Sequence, residues 1–232
     1  MSERRPIIAI DGPAGAGKST VAKHLAAHFG LLNLETGAMY RAFALKALRE
    51  GIGLDAAAAL QSLAATTSIL LEPTPNGNRV LLDGDDVTGE VRDAEVTQAA
   101  SRVSVHPAIR VWMVDLQREM GRNGGVVMEG RDIGTVVFPD ADLKFFLDAS
   151  PEARSQRRYE QAGSAVVATP ELVSKELRER DERDRNRAES PLRAAADAVV
   201  IDSTSLSLDE VLVRIEEIVA GRFARVRAER SK

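Results

Sequence analysis

The sequence predicts an α/β fold: a parallel β-sheet flanked by helices, with a small antiparallel β insert and an arginine-rich helical arm. Three observations support this prediction. Short apolar runs alternate with helical patterns along most of the chain. Residues 68–87 instead contain three β-type runs separated by hairpin-turn signals. Residues 151–187 are helical in pattern and carry many arginines.

The composition excludes several classes of protein. The 232 residues, 44% of them hydrophobic, suffice for one sizeable domain with inserted subdomains. A formal net charge of −4 argues against a general nucleic-acid-binding surface. The absence of cysteine excludes disulfides, thiolate metal sites and cysteine nucleophiles. No apolar leader precedes the first strand and no segment approaches membrane-spanning length, so we expect a cytoplasmic protein without membrane partners.

A glycine-rich motif directly follows the first apolar run, Pro6 to Asp11. It has the pattern Gly, four residues, Gly-Lys-Ser, between a predicted strand and a predicted helix, which is the setting of a P-loop. A Gly-rich connection without function is the alternative, but the strand and the helix on either side are both in register for a P-loop. The motif residues are Gly12, Pro13, Ala14, Gly15, Ala16, Gly17, Lys18, Ser19 and Thr20.

The residue types of this motif fit a phosphate cradle. Glycines lack a Cβ, so the backbone can turn its N–H groups inward around phosphate oxygens. Lys18 adds a positive charge, and Ser19 is placed to put its hydroxyl on a magnesium ion. We therefore predict a P-loop NTPase-type core that binds a nucleoside triphosphate.

A helix is predicted from Lys18 to Phe29, with Gly30 at its C-terminal end. His24 and His28 lie four residues apart on its polar face, a spacing that could bind a metal. Because no third ligand is near in the sequence and no catalytic glutamate stands between them, we interpret both as solvated histidines.

A second strand, residues 31–34, leads into the segment Glu-Thr-Gly-Ala-Met-Tyr-Arg at 35–41. A strand-to-helix junction that contains glycine and ends in arginine is a plausible second anion site. The alternative is an ordinary helix start capped by Thr36, with Arg41 in solvent. The helix continues to residue 50, and Asp55 is predicted to cap an alanine-rich helix through Leu63.

The three β-type runs come next, at residues 68–72, 79–82 and 85–87. Pro75-Asn76-Gly77 and Asp83-Gly84 separate them and predict hairpin turns. This antiparallel meander is either a surface decoration or a part that closes over a substrate.

Two predicted helices, residues 93–105 and 107–122, precede a short buried strand at 126–128 that delivers the segment Glu-Gly-Arg-Asp-Ile-Gly-Thr. Ligands bind at the carboxyl ends of parallel strands, so Glu129, Arg131 and Asp132 are expected at the same edge as the P-loop. Glu129 could hold magnesium through water. The alternative is a polar turn with an internal pair between Arg131 and Asp132.

A strand at residues 143–147 precedes a helix that carries Arg154, Arg157 and Arg158. Residues 162–165 are predicted to form a mobile loop tip, and Thr169-Pro170 to start another helix. The charge run of that helix is either a solvated face or a stripe that faces a bound anion with Arg180, Asp184 and Arg187.

The chain is predicted to end with a strand at residues 198–201 and an amphipathic helix at 208–220. Ser207 and Glu210 form a capping box for that helix. The basic tail after Arg222 is expected to fray.

The arginines indicate a class of reaction. Phosphoryl transfer to an acceptor that is itself a phosphate brings many negative oxygens together, so catalysis needs positive charge and positioning. A closing arm would also exclude water that could accept the phosphoryl group. The residues that supply positive charge are Lys18, Arg41, Arg131, Arg154, Arg157, Arg158, Arg180 and Arg187.

Two alternatives stay open from the residues alone. One is a P-loop kinase for another nucleotide or for a non-nucleotide acceptor. The other is a nucleotide-dependent switch that hydrolyses its nucleotide slowly. The sequence disfavours this alternative, because it contains no guanine-reading Asn-Lys-X-Asp or Thr-Lys-X-Asp segment.

Four motifs, at residues 12–20, 36–41, 129–135 and 180–187, resemble the bacterial cytidylate kinase family in sequence, order and spacing. The likeness extends from Ile7 to about Val219. It implies transfer of the γ-phosphoryl group of ATP to CMP or dCMP, with Mg²⁺, by a monomer. It also implies three parts: a core of residues 1–63, 97–150 and 183–232, a monophosphate-binding insert of 64–96 and a lid of 151–182.

The same resemblance implies functions for individual residues. Around the base it implies Thr36, Ser101, Arg110 and Asp132; at the sugar, Arg180 and Asp184; and around the acceptor phosphate, Arg41, Arg131 and Arg187. For ATP it implies the P-loop with Arg157, and for catalysis Lys18, Arg131, Asp132 and Arg158.

The implied position of Asp132 agrees with the chemistry of the base. Cytosine offers an amino donor at N4 where uracil offers an acceptor, so a carboxylate can distinguish them, while Arg110 and Ser101 can donate to the neighbouring ring atoms. Two residues depart from the family pattern, because Glu35 and Glu129 stand where aspartate is more common. The extra methylene moves each carboxylate and leaves its direct function open.

Overall fold

The computed structural model describes residues 5–74, 77–162 and 169–230. The strands are β1 Ile7–Asp11, β2 Leu32–Glu35, β3 Ile69–Thr74, β4 Gly77–Leu82, β5 Asp85–Asp86, β6 Val126–Gly130, β7 Leu143–Asp148 and β8 Val199–Asp202. The helices are α1 Lys18–Phe29, α2 Thr36–Arg49, α3 Ala57–Ala64, α4 Ala94–Val103, α5 Pro107–Gly121, α6 Pro151–Ala162, α7 Pro170–Asn186 and α8 Leu208–Arg230. A five-stranded parallel sheet has the order β2-β6-β1-β7-β8, and a three-stranded antiparallel sheet has the order β3-β4-β5. The predicted fold class is confirmed.

The strand order brings the predicted motifs to one edge of the large sheet. Asp11, at the end of the fully buried β1, lies opposite Gly130 of β6. Glu129 of β6 in turn lies opposite Glu35 of β2. Because parallel strands end at a common edge, the P-loop and the segments after β2 and β6 converge there, as predicted.

Alternate residues of β1 enter two separate apolar cores, since successive side chains of a strand point to opposite faces. Ile7 and Ala9 pack in the core that contains α2, α4 and α5. Ile8 and Ile10 pack in a second core between the sheet, α1 and α8. The helix that follows the P-loop is therefore held between the sheet and the last helix of the chain.

The antiparallel meander is packed into the fold. Ile69 and Val80 are buried in the first core. Asn78 is buried and fixes β4 to β2: its Nδ2 donates to the Asn33 carbonyl oxygen at 2.7 Å, and its Oδ1 accepts from the Glu35 N–H at 2.8 Å. The insert is thus attached to the strand that carries Glu35 to the sheet edge.

Several helix boundaries follow local sequence signals. Gly30, with φ 64°, ends α1. Thr169 caps α7 ahead of Pro170. The capping box of α8 is confirmed, because the Ser207 N–H donates to Glu210 Oε2 at 2.8 Å and the Glu210 N–H donates to Ser207 Oγ at 3.3 Å.

The prediction that Asp55 caps α3 was wrong. The helix begins at Ala57, and no side chain caps it. The Asp55 carboxylate instead pairs with Arg102 of α4. The residue before the first turn is Ala56, so Asp55 lies one position too early to cap the helix.

The predicted end of the last helix was also wrong. α8 is helical to Arg230, beyond the predicted end at residue 220. Phe223 gives one reason, because its ring meets Phe29 of α1 edge to face with 5.5 Å between the centroids. Apolar contact with α1 thus extends beyond the predicted boundary.

Two predicted features lie outside the described residues: the hairpin turn at Pro75-Asn76 and most of the loop tip at 162–165. Within the described part of the chain, none of the helices combines the length and the apolar character that a membrane crossing needs.

We expect Gly12→Ala to lower the free energy of unfolding by about 3 kcal/mol, measured by urea denaturation. Gly12 has φ 146°, and a Cβ there would lie 1.9 Å from the Leu147 carbonyl oxygen of β7. Gly30→Ala is the matched control, because Gly30 also has a positive φ but an added Cβ would meet nothing within 4 Å. The control should cost only about 1 kcal/mol. Equal losses would show that the contact with Leu147 is unimportant.

Candidate active site

A cleft of about 610 Å³ opens at the carboxyl edge of the large sheet. The described residues give it eight basic and four acidic side chains. The basic ones are Lys18, Arg41, Arg92, Arg110, Arg131, Arg158, Arg180 and Arg187, and the acidic ones are Glu35, Glu129, Asp132 and Asp184. This excess of positive charge suits a ligand with several negative oxygens.

The P-loop has the backbone that its glycines predict. Gly12, Gly15 and Gly17 have φ of 146°, 77° and 92°, which other residues rarely adopt. Lys18 is buried, and its Nζ donates to the Pro13 carbonyl oxygen at 2.7 Å. Burial and, next, the charge of Arg131 lower the pKa of Lys18 to about 7. Negative charge in the loop would offset this destabilisation of the ammonium group.

An oxygen-rich group lies beside the P-loop. Ser19 Oγ donates to Glu129 Oε1, and Glu35 lies opposite Glu129 in the sheet. Burial and, next, the charge of Glu35 raise the pKa of Glu129 above its usual value. A cation here would relieve the repulsion between the carboxylates, and Mg²⁺ prefers oxygen ligands. The residues present therefore fit a magnesium ion.

A buried ion pair between Arg110 and Asp132 forms one wall of the cleft. Arg110 Nη2 donates to Asp132 Oδ2 at 2.6 Å, and the two side chains are only 2% and 6% exposed. The Arg110 guanidinium lies 5.6 Å from the ring centre of Tyr40. Burial raises the pKa of Tyr40 to about 12. Tyr40 therefore keeps its proton at neutral pH. This group offers both donors and an acceptor to a planar ligand.

Asp184 joins two arginines of the cleft. Its Oδ2 accepts from Arg131 Nε at 2.9 Å, and its Oδ1 accepts from Arg187 Nη1 at 3.4 Å. Burial raises the pKa of Asp184, but the charges of Arg131, Arg180 and Arg187 outweigh burial and hold this pKa below its usual value. Arg187 is the C-terminal cap of α7, and its N–H still donates to the Arg183 carbonyl oxygen at 3.1 Å. It lines the cleft together with Arg180 and Asp184, as the predicted stripe requires.

Four buried guanidinium nitrogens in the cleft have no hydrogen-bond partner among the described residues: Arg41 Nε, Arg110 Nε, Arg180 Nε and Arg187 Nη2. Acceptor oxygens of a bound ligand could pair with these buried donors. Burial and, next, the charge of Arg131 lower the pKa of Arg180 to about 10, which shows the same shortage of negative charge.

The junction at the start of α2 faces the cleft. Thr36 Oγ1 donates to the Glu129 carbonyl oxygen at 2.7 Å, and Arg41 Nη2 donates to Glu35 Oε1 at 2.5 Å. The alternative of an ordinary helix start placed Arg41 in solvent. Arg41 instead contacts Glu35 and lines the cleft. On the opposite side, Ser101 Oγ accepts from Arg183 Nε of α7 at 3.1 Å.

Arg154 does not add its charge to the cleft, so that part of the sequence interpretation was wrong. It is 2% exposed, and its Nη1 donates to the Ala14 carbonyl oxygen of the P-loop at 3.1 Å. The same nitrogen lies 2.7 Å from Asp181 Oδ2 of α7. Arg154 therefore links the P-loop to α7.

The next two arginines of α6 divide between two cavities. Arg158 lines the cleft, whereas Arg157 lines a second cavity of about 390 Å³ beyond the P-loop. Arg157 Nη1 and Nη2 donate to Ser203 Oγ and its carbonyl oxygen at 2.9 Å and 2.5 Å. The residues that line both cavities are Gly15, Gly17 and Thr20. The apolar lining of the second includes Val21, Leu147, Leu206 and Val211.

The function of Asp11 was not predicted from the sequence, in which this residue is only the end of the first strand. The Asp11 carboxylate accepts from the N–H groups of Ile133 and Gly134 at 2.8 Å and 2.7 Å. These residues begin a π-helical turn, Ile133–Val137, so Asp11 fixes the backbone directly after Asp132. Burial raises the pKa of Asp11 to about 6. A charged residue at the end of a buried strand was the available signal.

Three other residues at the site were also missed. Tyr40 lies in the segment at 35–41, in which the sequence interpretation considered Thr36 and Arg41 but not the tyrosine. Asp181 and Arg183 lay in a charge run in which every helix face carries charges, so periodicity could not show which of them turn inward.

Two sequence comparisons agree on one family. The sequence profile described as cytidylate kinase matches residues 8–221. A cytidylate kinase from Pelotomaculum thermopropionicum is 52% identical over 220 residues, which cover 94% of this chain and 97% of that protein. One from Geobacillus kaustophilus is 50% identical over 222 residues, which cover 95% and 99%. Among solved structures, an uncharacterized protein from Eubacterium ventriosum covers 93% of this chain and 99% of its own, with a TM-score of 0.51 and 15% identity, which bears on the fold alone.

We expect Arg154→Met to lower the free energy of unfolding by about 3–5 kcal/mol, because Asp181 would lose its buried partner. The double variant Arg154→Met/Asp181→Asn should recover part of this loss, since no unpaired carboxylate remains. Urea unfolding of both variants and of Asp181→Asn measures the coupling. Unchanged stability of Arg154→Met would show that the buried pair with Asp181 does not hold the P-loop to α7.

Proposed function

This chain belongs to the cytidylate kinase family, and from that premise we propose how its two cavities divide the reaction. The enzyme transfers the γ-phosphoryl group of ATP to CMP or dCMP and so forms CDP or dCDP and ADP. We place the acceptor in the cleft and the nucleoside of ATP in the second cavity. The P-loop residues that border both cavities support this division, because the phosphates of the two nucleotides must meet there.

The Arg110–Asp132 pair is the observation that carries the choice of acceptor. Asp132 Oδ2 is engaged by Arg110, whereas Oδ1 lies 3.9 Å from Arg187, beyond hydrogen-bond distance. We propose that Oδ1 accepts from the N4 amino group of cytosine, which uracil lacks. Arg110 Nε and the Ser101 hydroxyl are suited to donate to the ring nitrogen and the carbonyl oxygen. Thr36 completes the surroundings of the base.

The unpartnered nitrogens support positions for the rest of the acceptor. We assign the sugar to Asp184 and Arg180, and the acceptor phosphate to Arg41, Arg131 and Arg187. Phosphate oxygens would supply the acceptors that Arg41 Nε and Arg187 Nη2 lack.

We propose that the P-loop, with Lys18, holds the phosphates of ATP, and that Arg157 borders the nucleoside. Val21, Leu147 and Leu206 give the second cavity an apolar lining that fits a planar base. Arg157 already donates to Ser203, which fixes its guanidinium at the rim of that cavity.

In the transfer step, an oxygen of the acceptor phosphate attacks the γ-phosphorus of ATP. The bond from that phosphorus to the β,γ-bridging oxygen breaks, and ADP leaves with this oxygen. No covalent nucleophile of the protein is required. Lys18, Arg131 and Arg158 are positioned to stabilise the charge that spreads over the transferred group.

We propose that Ser19 holds a Mg²⁺ ion and that Glu129 contacts it through water. The ion, when bound, neutralises charge on the β- and γ-phosphates. The short contact between Ser19 and Glu129 in the structure keeps this hydroxyl and carboxylate side by side for that function.

The three parts of the chain have distinct proposed functions. We assign residues 64–96 to the monophosphate-binding insert, 151–182 to the lid, and 1–63, 97–150 and 183–232 to the core. A contact of α7 with α4 supports the lid, because Gln98 Nε2 of the core donates to Glu176 Oε1 at 2.8 Å. Closure there would exclude water from the phosphates. A cytoplasmic location, a monomeric state and the absence of a nucleic-acid partner stay predictions.

Assays with ATP, Mg²⁺ and a panel of CMP, dCMP, UMP and AMP test the proposed function. We expect rapid ADP formation only when an acceptor is present, with the highest kcat/KM for CMP or dCMP. A preference for AMP would overturn the assigned acceptor. Rapid turnover without any monophosphate would favour an ATPase or a switch over a kinase.

We expect Asp132→Asn to lower kcat/KM for CMP by about 5- to 150-fold, corresponding to about 1–3 kcal/mol of base discrimination. The kcat/KM for UMP should fall less, because the side-chain amide introduced by Asp132→Asn can donate to uracil O4. Asp115→Asn is the matched control, since Asp115 is exposed on α5 and loses the same charge outside the cleft. Equal losses with CMP and UMP would show that Asp132 supports Arg110 without reading the base.

A further inference from the structure

Three metal-ligating side chains meet outside the cleft, where α1 packs against α8. His24 and His28 come from α1 and Glu216 from α8, and their ligand atoms lie within 4.8 Å of one another. Both histidines are partly exposed to solvent, as interpreted from the sequence. The third candidate ligand lies 192 residues from His24 along the chain, so it was not visible near them in the sequence. Only the packing of the two helices brings it near.

The geometry places one carboxylate oxygen between two imidazoles. Glu216 Oε1 is hydrogen bonded to His24 Nε2 and lies 3.3 Å from His28 Nδ1. The two rings are one helical turn apart, with 6.1 Å between their centroids and 29° between their planes. Two imidazoles and one carboxylate form a ligand set found in protein zinc sites that have three protein ligands and a water in the fourth position.

The ligands are held in place by packing that does not depend on a metal. Leu25 of α1 and Ile215 of α8, each next to a ligand, are fully buried in the same core. Phe29 and Phe223 continue the contact between these helices. Binding would therefore require little ordering of the chain. The side chains of His24, His28 and Glu216 are 36%, 52% and 27% exposed, so an ion can enter from solvent.

We propose that His24, His28 and Glu216 bind a divalent transition-metal ion of the Zn²⁺ class and so join α1 to α8. Imidazole ligands favour Zn²⁺ over Mg²⁺, which prefers oxygen ligands, so the metal of the nucleotide does not compete for this site. Because α1 begins at Lys18, the ion stabilises the position of the helix that follows the P-loop. The competing explanation is a metal-free ion pair between histidine and Glu216.

Calorimetric titration with ZnCl₂ tests the proposal on the full chain without a polyhistidine tag, stripped of metal, free of nucleotide and in excess MgCl₂. We expect the tightest zinc-binding site in this titration to hold one zinc ion per chain. Glu216→Gln and His28→Gln should each weaken zinc binding by about 10- to 100-fold or more. Loss of a residue that only hydrogen-bonds a metal ligand already has an effect of this size. His28 is half exposed, so this second variant does not endanger folding.

Glu217→Gln is the matched control, because it removes the same charge from the next residue of α8 and should leave zinc affinity unchanged. Zinc at about 100 times its Kd should raise the folding equilibrium constant about 100-fold in the wild type and the control, measured by urea unfolding, but not in Glu216→Gln. Absence of zinc binding, or equal affinities of Glu216→Gln and Glu217→Gln, would overturn the proposal and leave a surface ion pair.

Discussion

The shortage of negative charge in the cleft is the constraint on which the rest of the site depends. Burial and the charge of Arg131 lower the pKa of both Lys18 and Arg180. Asp132 and Asp184 compensate part of the positive charge, but four guanidinium nitrogens of the cleft still lack hydrogen-bond partners in the described chain. Two nucleotides whose phosphates meet at the P-loop would supply both the missing charge and the missing acceptors. The basic lining of the cleft is thus complementary to phosphate oxygens.

The fold can hold these cations in place because other contacts fix the backbone around them. Asp11 holds the turn after Asp132, and Thr36 joins the start of α2 to the end of β6. Arg154 connects the P-loop to α7, which carries Arg180 and Asp184. Asn78 attaches the meander to the strand of Glu35. Each of these polar side chains is buried and acts through a backbone group or an opposite charge, so the cleft does not rely on flexible surface pairs.

The P-loop also depends on the opposite face of the sheet. α1 packs between the sheet and α8, and Phe223 extends that contact past the predicted end of the last helix. The His24–His28–Glu216 cluster lies on the solvent side of this helix pair. The proposed zinc site would therefore act on the support of the P-loop and leave the substrate-binding residues untouched.

Local sequence patterns were enough to predict the α/β class, the P-loop, most helix and strand positions, and the residue types that collect at the carboxyl edge of the sheet. These features follow from periodicity, turn residues and caps, which act over a few neighbouring residues. Three contacts could be seen only in the folded chain: Arg154 with Ala14, Asp55 with Arg102, and Glu216 with the two histidines. In each case the partner lies tens of residues or more away along the chain. Such contacts depend on how whole helices and strands pack against one another. A pattern in a few neighbouring residues cannot predict a partner that lies far away along the chain.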